Sequence, residues 1–290
     1  MEKENSESLI KILASVVLYN PDEQAFLNLK KICDCQYFNE IYIVDKSEKS
    51  NKDKVSLIST KIKYLFYSKN LGIAKALKDI MSYSLDKNYD YTLTLDQDSV
   101  FPLERMKEIY FILKKNINSS IGIISLNYNN KYFSHNNWLK VKSIITSGNF
   151  IKNDCYRLID GFNENLFIDY VDFDLCNQFY KNKIEIYVIT NISINHTIGN
   201  PTYKKIFFFK VKLSNHSPIR YYYRYRNELY CFLKDRKFYF KHHIKELICY
   251  FLIILFEKNK KEKIKMIKLG KKDAKKNKLG VYNPQIEVCD

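Results

Sequence analysis

Two carboxylates, Asp96 and Asp98, flank Gln97 directly after the apolar, β-branched run YTLTL. Like charges this close repel each other unless a cation sits between them. Carboxylate oxygens are hard ligands suited to Mg²⁺ or Mn²⁺, which bind through one or two carboxylates plus substrate phosphates. An exposed turn with two solvated acids is the bland alternative, since a bare DxD occurs often by chance. A second acidic cluster, Asp169, Asp172 and Asp174, lies in FIDYVDFDLC. At the head of a helix Asp172 and Asp174 point to different faces, although acids also simply favour a first helical turn. His196 follows an apolar run and precedes TIGNP. Such a histidine is a satisfied core residue as often as a ligand. Arg224 and Arg226 could each offer a bidentate contact to phosphate.

The elements that must position these groups alternate. IKILASVVLY (10–19), EIYIVD (40–45), IKYLFYS (62–68) and YTLTLD (91–96) are apolar runs of strand length. Between the first two, Asn20 can cap a helix with Pro21 in its first position. KNLGIAKALKDIMSYSL places Ile73, Leu77, Ile80, Met81 and Ser84 on one helical face, and PLERMKEIYFILKK predicts another helix. This is the pattern of an α/β protein whose parallel sheet is covered by helices. Beyond residue 125, SIITSGNF predicts a strand entering a turn, where Gly148 serves the turn or a close backbone approach to a ligand. DFDLCNQFYKN predicts a helix and IEIYVITNISINH a strand. In open α/β sheets ligands sit outside the carboxyl ends of the strands. Those ends carry Asn20, Asp45, Asn70 and Asp96–Gln97–Asp98.

The chain has 290 residues and a formal charge of +16, concentrated after Tyr203. We expect a domain over 1–203 and a basic, aromatic helical extension over 204–290. The excess charge implies an anionic partner. Seven cysteines without a CxxC pair read as reduced thiols, neither a disulfide framework nor a zinc site. The start, MEKENSESLIKIL, is too polar for a signal peptide. LICYFLIILF (247–256) is half the length needed to span a bilayer. It fits a helix lying in an anionic membrane interface or one buried in a core. A cytoplasmic protein, peripheral on the inner face of the membrane, is therefore expected. Among Tyr221, Tyr222, Tyr223 and Tyr225, which cannot share one helix side, some belong to a core and some could stack on a sugar or base. The Tyr/Arg/Lys run over 220–241 also admits nucleic-acid binding, but no helix-turn-helix, zinc-finger or RRM signature accompanies it, and no nucleic-acid partner is expected.

VVLYNP, IVDKS, SKNLGIAKALKDI and LTLDQDS resemble the successive nucleotide-binding segments of family 2, GT-A fold glycosyltransferases. SGNFIKNDCYRLIDGFNENLFIDYVDFDLCNQFYKNK resembles their acceptor half, and NHTIGN with HSPIRYYYRYRNELY is similar to segments of the rhamnosyltransferase branch. The resemblance covers roughly residues 10 to 232. It implies a GT-A, Rossmann-like, mostly parallel sheet flanked by helices. Asp45 then resembles the acid that contacts the nucleotide base, with Asn20, Asn70, Gly72, Asp96 and Gln97 along the donor. Asp98 resembles the metal-coordinating acid, and His196 a histidine near metal and diphosphate. Asp172 resembles the catalytic base, with Asp169 in reserve. Val171 stands where many members have glutamate, and Lys78 and Asp79 where asparagine and glycine are frequent, so neither segment carries a ligand role there.

The implied reaction is transfer of a sugar with inversion to a hydroxyl of a glycan or glycolipid acceptor. Cofactors are then Mg²⁺ or Mn²⁺ and a nucleotide-sugar donor. By resemblance alone the donor is dTDP-L-rhamnose; a UDP-hexose or UDP-galactofuranose keeps the same fold and mechanism. The aromatic, basic tail could also pair subunits as an oligomer. A scaffold that kept the fold and lost catalysis is disfavoured by the intact Asp98 and Asp172.

Overall fold

The computed structural model describes residues 9–196, 202–206 and 209–284. In chain order the first half runs β1 (Ile12–Leu18), α1 (Glu23–Cys33), β2 (Glu40–Asp45), α2 (Lys52–Ser56), β3 (Ile62–Phe66), α3 (Gly72–Asp86) and β4 (Tyr91–Asp96). It continues with β5 (Ser99–Val100), α4 (Met106–Lys115), β6 (Ile121–Tyr128), β7 (Trp138–Val141) and β8 (Asn149–Lys152). Then come α5 (Asn153–Tyr156), α6 (Val171–Lys181) and β9 (Glu185–His196). The tail holds β10 (Thr202–Ile206), β11 (Phe209–Leu213), α7 (Pro218–Lys234), α8 (Arg236–Phe256) and α9 (Lys260–Lys275).

Two compact units account for these elements. The first extends to Leu71 and takes in Ala76–Gly161 and Gln178–His196. The second comprises Gly72–Lys75, Phe162–Asn177 and the described residues after 201.

The first unit is built on one sheet ordered β3-β2-β1-β4-β8-β6-β9-β5, with β7 also paired to β9. β1 to β4 are mutually parallel where they pair, and so are β6 and β9. β8, β7 and β5 join antiparallel. β1 is buried along its whole length, the property of a strand covered on both faces. Its alternate residues Ile12, Ala14, Val16 and Leu18 pack with Leu29, Leu93, Leu95, Ile109 and Leu113 in the main core. On α3, Leu77, Ile80, Met81 and Ser84 are buried as the helical spacing predicts, and Ile73 is half-buried.

Local differences from the sequence expectations have simple causes. Asp22, not Asn20, caps α1, its carboxylate accepting from Ala25 N–H at 2.9 Å. Asn20 instead takes a left-handed φ of 46° and turns the chain out of β1. The segment expected as a strand over 143–150 is extended only from Asn149, because Gly148 turns the chain with φ 84°. A Cβ there would stand 3.0 Å from the Ile194 side chain, so Gly148 serves the turn and the packing of β9. The basic tail opens with the antiparallel β10–β11 hairpin before its helices begin at Pro218.

In the second unit α7 lies at the centre. Tyr221, Tyr222, Tyr223 and Tyr225 point around much of its circumference, yet all four are buried. α8 and α9 cover Tyr221 and Tyr225 with Ile253 and Ile267. Tyr222 donates to Asp273 at 2.7 Å, and Tyr223 stacks on Phe167 with centroids 4.7 Å apart. Gly270 lets α9 approach α7 closely, since a Cβ would stand 2.4 Å from the Tyr222 carbonyl oxygen. The tyrosines read as possible stacking groups are thus core.

Candidate functional site

The strand register brings the acids of the first unit to one edge. Leu18 of β1 is in register with Asp45 of β2, and Val17 with Asp96 of β4. Two strand spacings separate the two acids, ~10 Å in the sheet direction. Asp96 ends β4 half-buried, and Asp98 is exposed on the following turn. β9 ends at His196, whose backbone pairs with Ser99, the residue after Asp98. The expected approach of its imidazole to a metal lies outside the described residues.

The DxD turn is held from two sides. Gln97 accepts from Tyr19 N–H at 2.7 Å and donates to the Tyr19 carbonyl at 3.2 Å. Its amide therefore ties the turn to the end of β1, a positioning task. On the other side Asp96 N–H donates to Ser147 Oγ at 3.1 Å, and Ser99 Oγ lies 2.6 Å from Ser147 Oγ. Gly148 N–H adds a bond to the Thr94 carbonyl at 2.8 Å. Burial and the negative charges of Asp98 and Asp96 raise the Tyr128 hydroxyl above its ordinary value, which keeps it protonated beside them. Ser147 and Tyr128 are site residues that pattern reading missed. Only the TSGN turn signalled the first, and nothing local signalled the second.

Asp45 is fully buried. Oδ1 accepts from Ser47 N–H at 2.9 Å. Oδ2 accepts from Asn51 N–H at 3.1 Å, Asn51 Nδ2 at 2.9 Å and Tyr64 Oη at 2.5 Å. These bonds organise the loop at 46–51. Burial alone would raise the carboxylate's pKa; the bonds from Ser47, Tyr64 and Asn51 outweigh it and hold the group below its usual range. Burial and the Asp45 bond push Tyr64 up to about 12, so it remains a donor. Asn20 links the same loop to β1, donating its N–H to Ser47 Oγ at 2.7 Å and accepting from Glu48 N–H at 3.3 Å. Asn70 is exposed ahead of α3.

A depressed folded pKa adds stability above the unfolded value, and that stability is lost as pH falls through the folded pKa. Tyr64→Phe removes one charge-assisted bond and should cost about 1.5–3 kcal/mol near pH 7. Below about pH 3.9, where the carboxyl of the unfolded chain protonates, the deficit should shrink. Urea melts at the two pH values check this; a deficit independent of pH would remove Asp45 from the explanation.

In the second unit, Phe167, Asp169 and Tyr170 all hold left-handed φ values of 64°. Three non-glycine residues in this region within one loop store strain that the surroundings must hold. Asn227 does so: its Nδ2 donates to the carbonyls of Leu166, Ile168 and Asp169 at 2.8, 2.7 and 3.0 Å. Arg226, 1 % exposed, adds Nη2 bonds to the Asn165 and Leu166 carbonyls and an Nη1 bond to Gly280 O at 2.7 Å. Its guanidinium also lies over the rings of Tyr222 and Tyr223. Arg224 is paired with Glu246, Nε to Oε2 at 2.9 Å. Through these contacts both arginines, expected at a phosphate, hold this unit together. The same burial withdraws the rings and guanidinia of 221–226 from the run that could have formed a nucleic-acid surface.

Asp169 is gripped in bidentate fashion by Arg220, at 2.5 and 2.8 Å. Asp172 follows in the first turn of α6, half-buried, its Oδ1 accepting from Phe173 N–H at 2.9 Å. Gly72, with φ 87°, admits the Phe167 backbone, whose oxygen would lie 2.4 Å from a Cβ there. The absence of a side chain at Gly72 thus seats that loop. Asn227 and Arg220 were legible only as parts of the RYYYRYRN run, without a role.

Among the described residues no three His, Cys, Asp or Glu side chains form a self-sufficient metal cage. A Mg²⁺ or Mn²⁺ site completed by substrate phosphates needs none, and the exposed Asp98 beside the half-buried Asp96 fits it.

No protein-family profile matches the chain. It is 28 % identical over 281 aligned residues to the dTDP-rhamnosyl transferase RfbF of Shigella flexneri, covering 88 % of this chain and 92 % of that protein. The fold is similar to GalNAc-T7, solved with UDP, GalNAc and Mn²⁺ (TM-score 0.59, 10 % identity, 78 % of this chain). This chain spans 48 % of that one. It is also similar to residues 1–349 of S. aureus TarS (TM-score 0.51, 12 % identity), covering 91 % of this chain and 71 % of that one. These likenesses show the fold, which is similar to that of GT-A glycosyltransferases.

Proposed function

We propose that the chain is an inverting glycosyltransferase that moves L-rhamnose from dTDP-L-rhamnose to a hydroxyl of a lipid-linked, cell-surface polysaccharide precursor. The observation that carries this reading is the DxD turn at the carboxyl end of β4, where the half-buried Asp96 and the exposed Asp98 follow directly on a buried parallel strand. The near full-length likeness to a dTDP-rhamnosyl transferase supports the donor.

In this reading Asp98, with His196, holds Mg²⁺ or Mn²⁺, which when bound supplies Lewis-acid neutralisation of charge on the departing diphosphate. Asp96 and the exposed Asn20 and Asn70 face the nucleotide, while Gln97 and Ser147 fix the geometry of the DxD turn. Asp172 takes the proton from the acceptor hydroxyl. One carboxylate suffices for a single displacement with inversion, so no second nucleophile is needed.

The test is a thermal-shift panel of dTDP, UDP, GDP and CDP, each with and without Mn²⁺, on wild type and Asp98→Ala. At 100 times its dissociation constant a ligand adds about 2.7 kcal/mol of stability. A Mn²⁺-dependent shift with dTDP that Asp98→Ala abolishes is expected. A shift with UDP alone would overturn the donor and keep the mechanism. No shift with any nucleotide would sink the whole reading.

A further inference from the structure

α8 buries Tyr239, Glu246 and Ile253, spaced seven residues apart along one side. On the other side Phe240, Ile244, Ile248, Phe251 and Leu255 are 42–64 % exposed. At about 100° per residue these five fall within an arc of ~80°, centred ~160° from the buried side, along ~22 Å of helix. Single exposed apolar residues are ordinary on a protein surface, but a continuous stripe marks an interaction face.

The exposed charge on α8 itself has one sign. Every exposed charged residue on α8 is basic: Arg236, Lys237, Lys241 and Lys245. Lys258, Lys260 and Lys261 follow, also exposed, with Glu262 the one exposed acid beside them among the described residues of this stretch, while Glu246 and Glu257 are buried. The helix cannot roll its other side outward, because Glu246 is paired with Arg224 and its carbonyl accepts from Tyr225 Oη at 3.0 Å.

We propose that this face of α8 docks on an anionic bilayer, with the apolar stripe in the headgroup boundary and the flanking cations on lipid phosphates. Apolar area and attraction to anionic lipid are the two terms that set such binding. Among the described residues no helix is long and apolar enough to cross a membrane, so α8 lies on the surface. A second copy of the chain would bring like-charged flanks together, which disfavours self-association through the stripe. The proposal stands independently of the nucleotide site.

The test is co-sedimentation of the full chain with vesicles of phosphatidylcholine alone or mixed with phosphatidylglycerol. Binding to the mixed vesicles, weakened by salt, is expected. Phe251→Glu with Leu255→Glu should lower partitioning at least about tenfold. Lys241→Gln with Lys245→Gln should lower it about fivefold per lysine. All four side chains are exposed, so both variants should melt like wild type, and each tests the face separately. Equal binding to neutral vesicles, or unchanged partitioning of both variants, would overturn the proposal. So would a lipid-free dimer in sedimentation equilibrium that Phe251→Glu with Leu255→Glu makes monomeric, since a second copy would then be the occupant.

Discussion

Asp172→Asn should keep donor-nucleotide binding and lose transfer by about 10²–10⁴-fold, the range for removing a general base. The amide has the shape of the carboxylate and can still accept from Phe173 N–H, so the first turn of α6 should survive the change. The loss should therefore fall on kcat, with the dTDP-dependent thermal shift intact. Asp169→Asn offers the contrast. Asp169 is occupied by Arg220, so that substitution should lower the melting temperature as well as activity. Transfer at the wild-type rate in Asp172→Asn would end its assignment as base and return Asp169 to consideration.

Asn227→Asp should be among the most destabilising single substitutions in the second unit. The new side chain has the same shape and no donors, so the carbonyls of Leu166, Ile168 and Asp169 lose the amide they share. A new buried carboxylate would also face those oxygens. The Leu166 carbonyl keeps its bond from Arg226, so two acceptors go unmet, and at about 1–3 kcal/mol each the total is about 2–6 kcal/mol. At roughly 2–4 °C per kcal/mol the melting temperature should fall on the order of 10 °C. Thermal melting checks it, and a fall below a few degrees would mean that the left-handed residues at 167–170 are held by something else.

The strand ends that carry the acids of the first unit were largely legible. β2 and β4 occupy the expected runs, and their terminal acids stand at the strand ends because continuous apolar sequence stops where the sheet meets solvent. The short antiparallel strands β5 and β7 were not legible, since their pairing comes from β9 and not from any period of their own. Nor could spacing separate Arg226 from a phosphate ligand. Its neighbours in the fold are carbonyls at 165, 166 and 280, and carbonyls leave no mark on a sequence. α8 ran against the usual rule: its buried side contains Glu246, while its exposed side is Phe, Ile and Leu. With apolar residues on both sides, burial depended on what α7 offered, and Arg224 selected the side bearing the acid.

The clamp on the 165–170 loop also imposes an order of events during synthesis. Leu166 and Asn227 are separated by 61 positions, about 3–12 s of elongation at typical ribosome speeds. A nascent chain that already contains the DxD turn, and even Asp172, has no Asn227 to hold the left-handed backbone. The acidic loop can therefore settle only once α7 has been made. If Asp98 and Asp172 act as proposed, a chain stopped short of α7 would carry the donor turn but not a seated base.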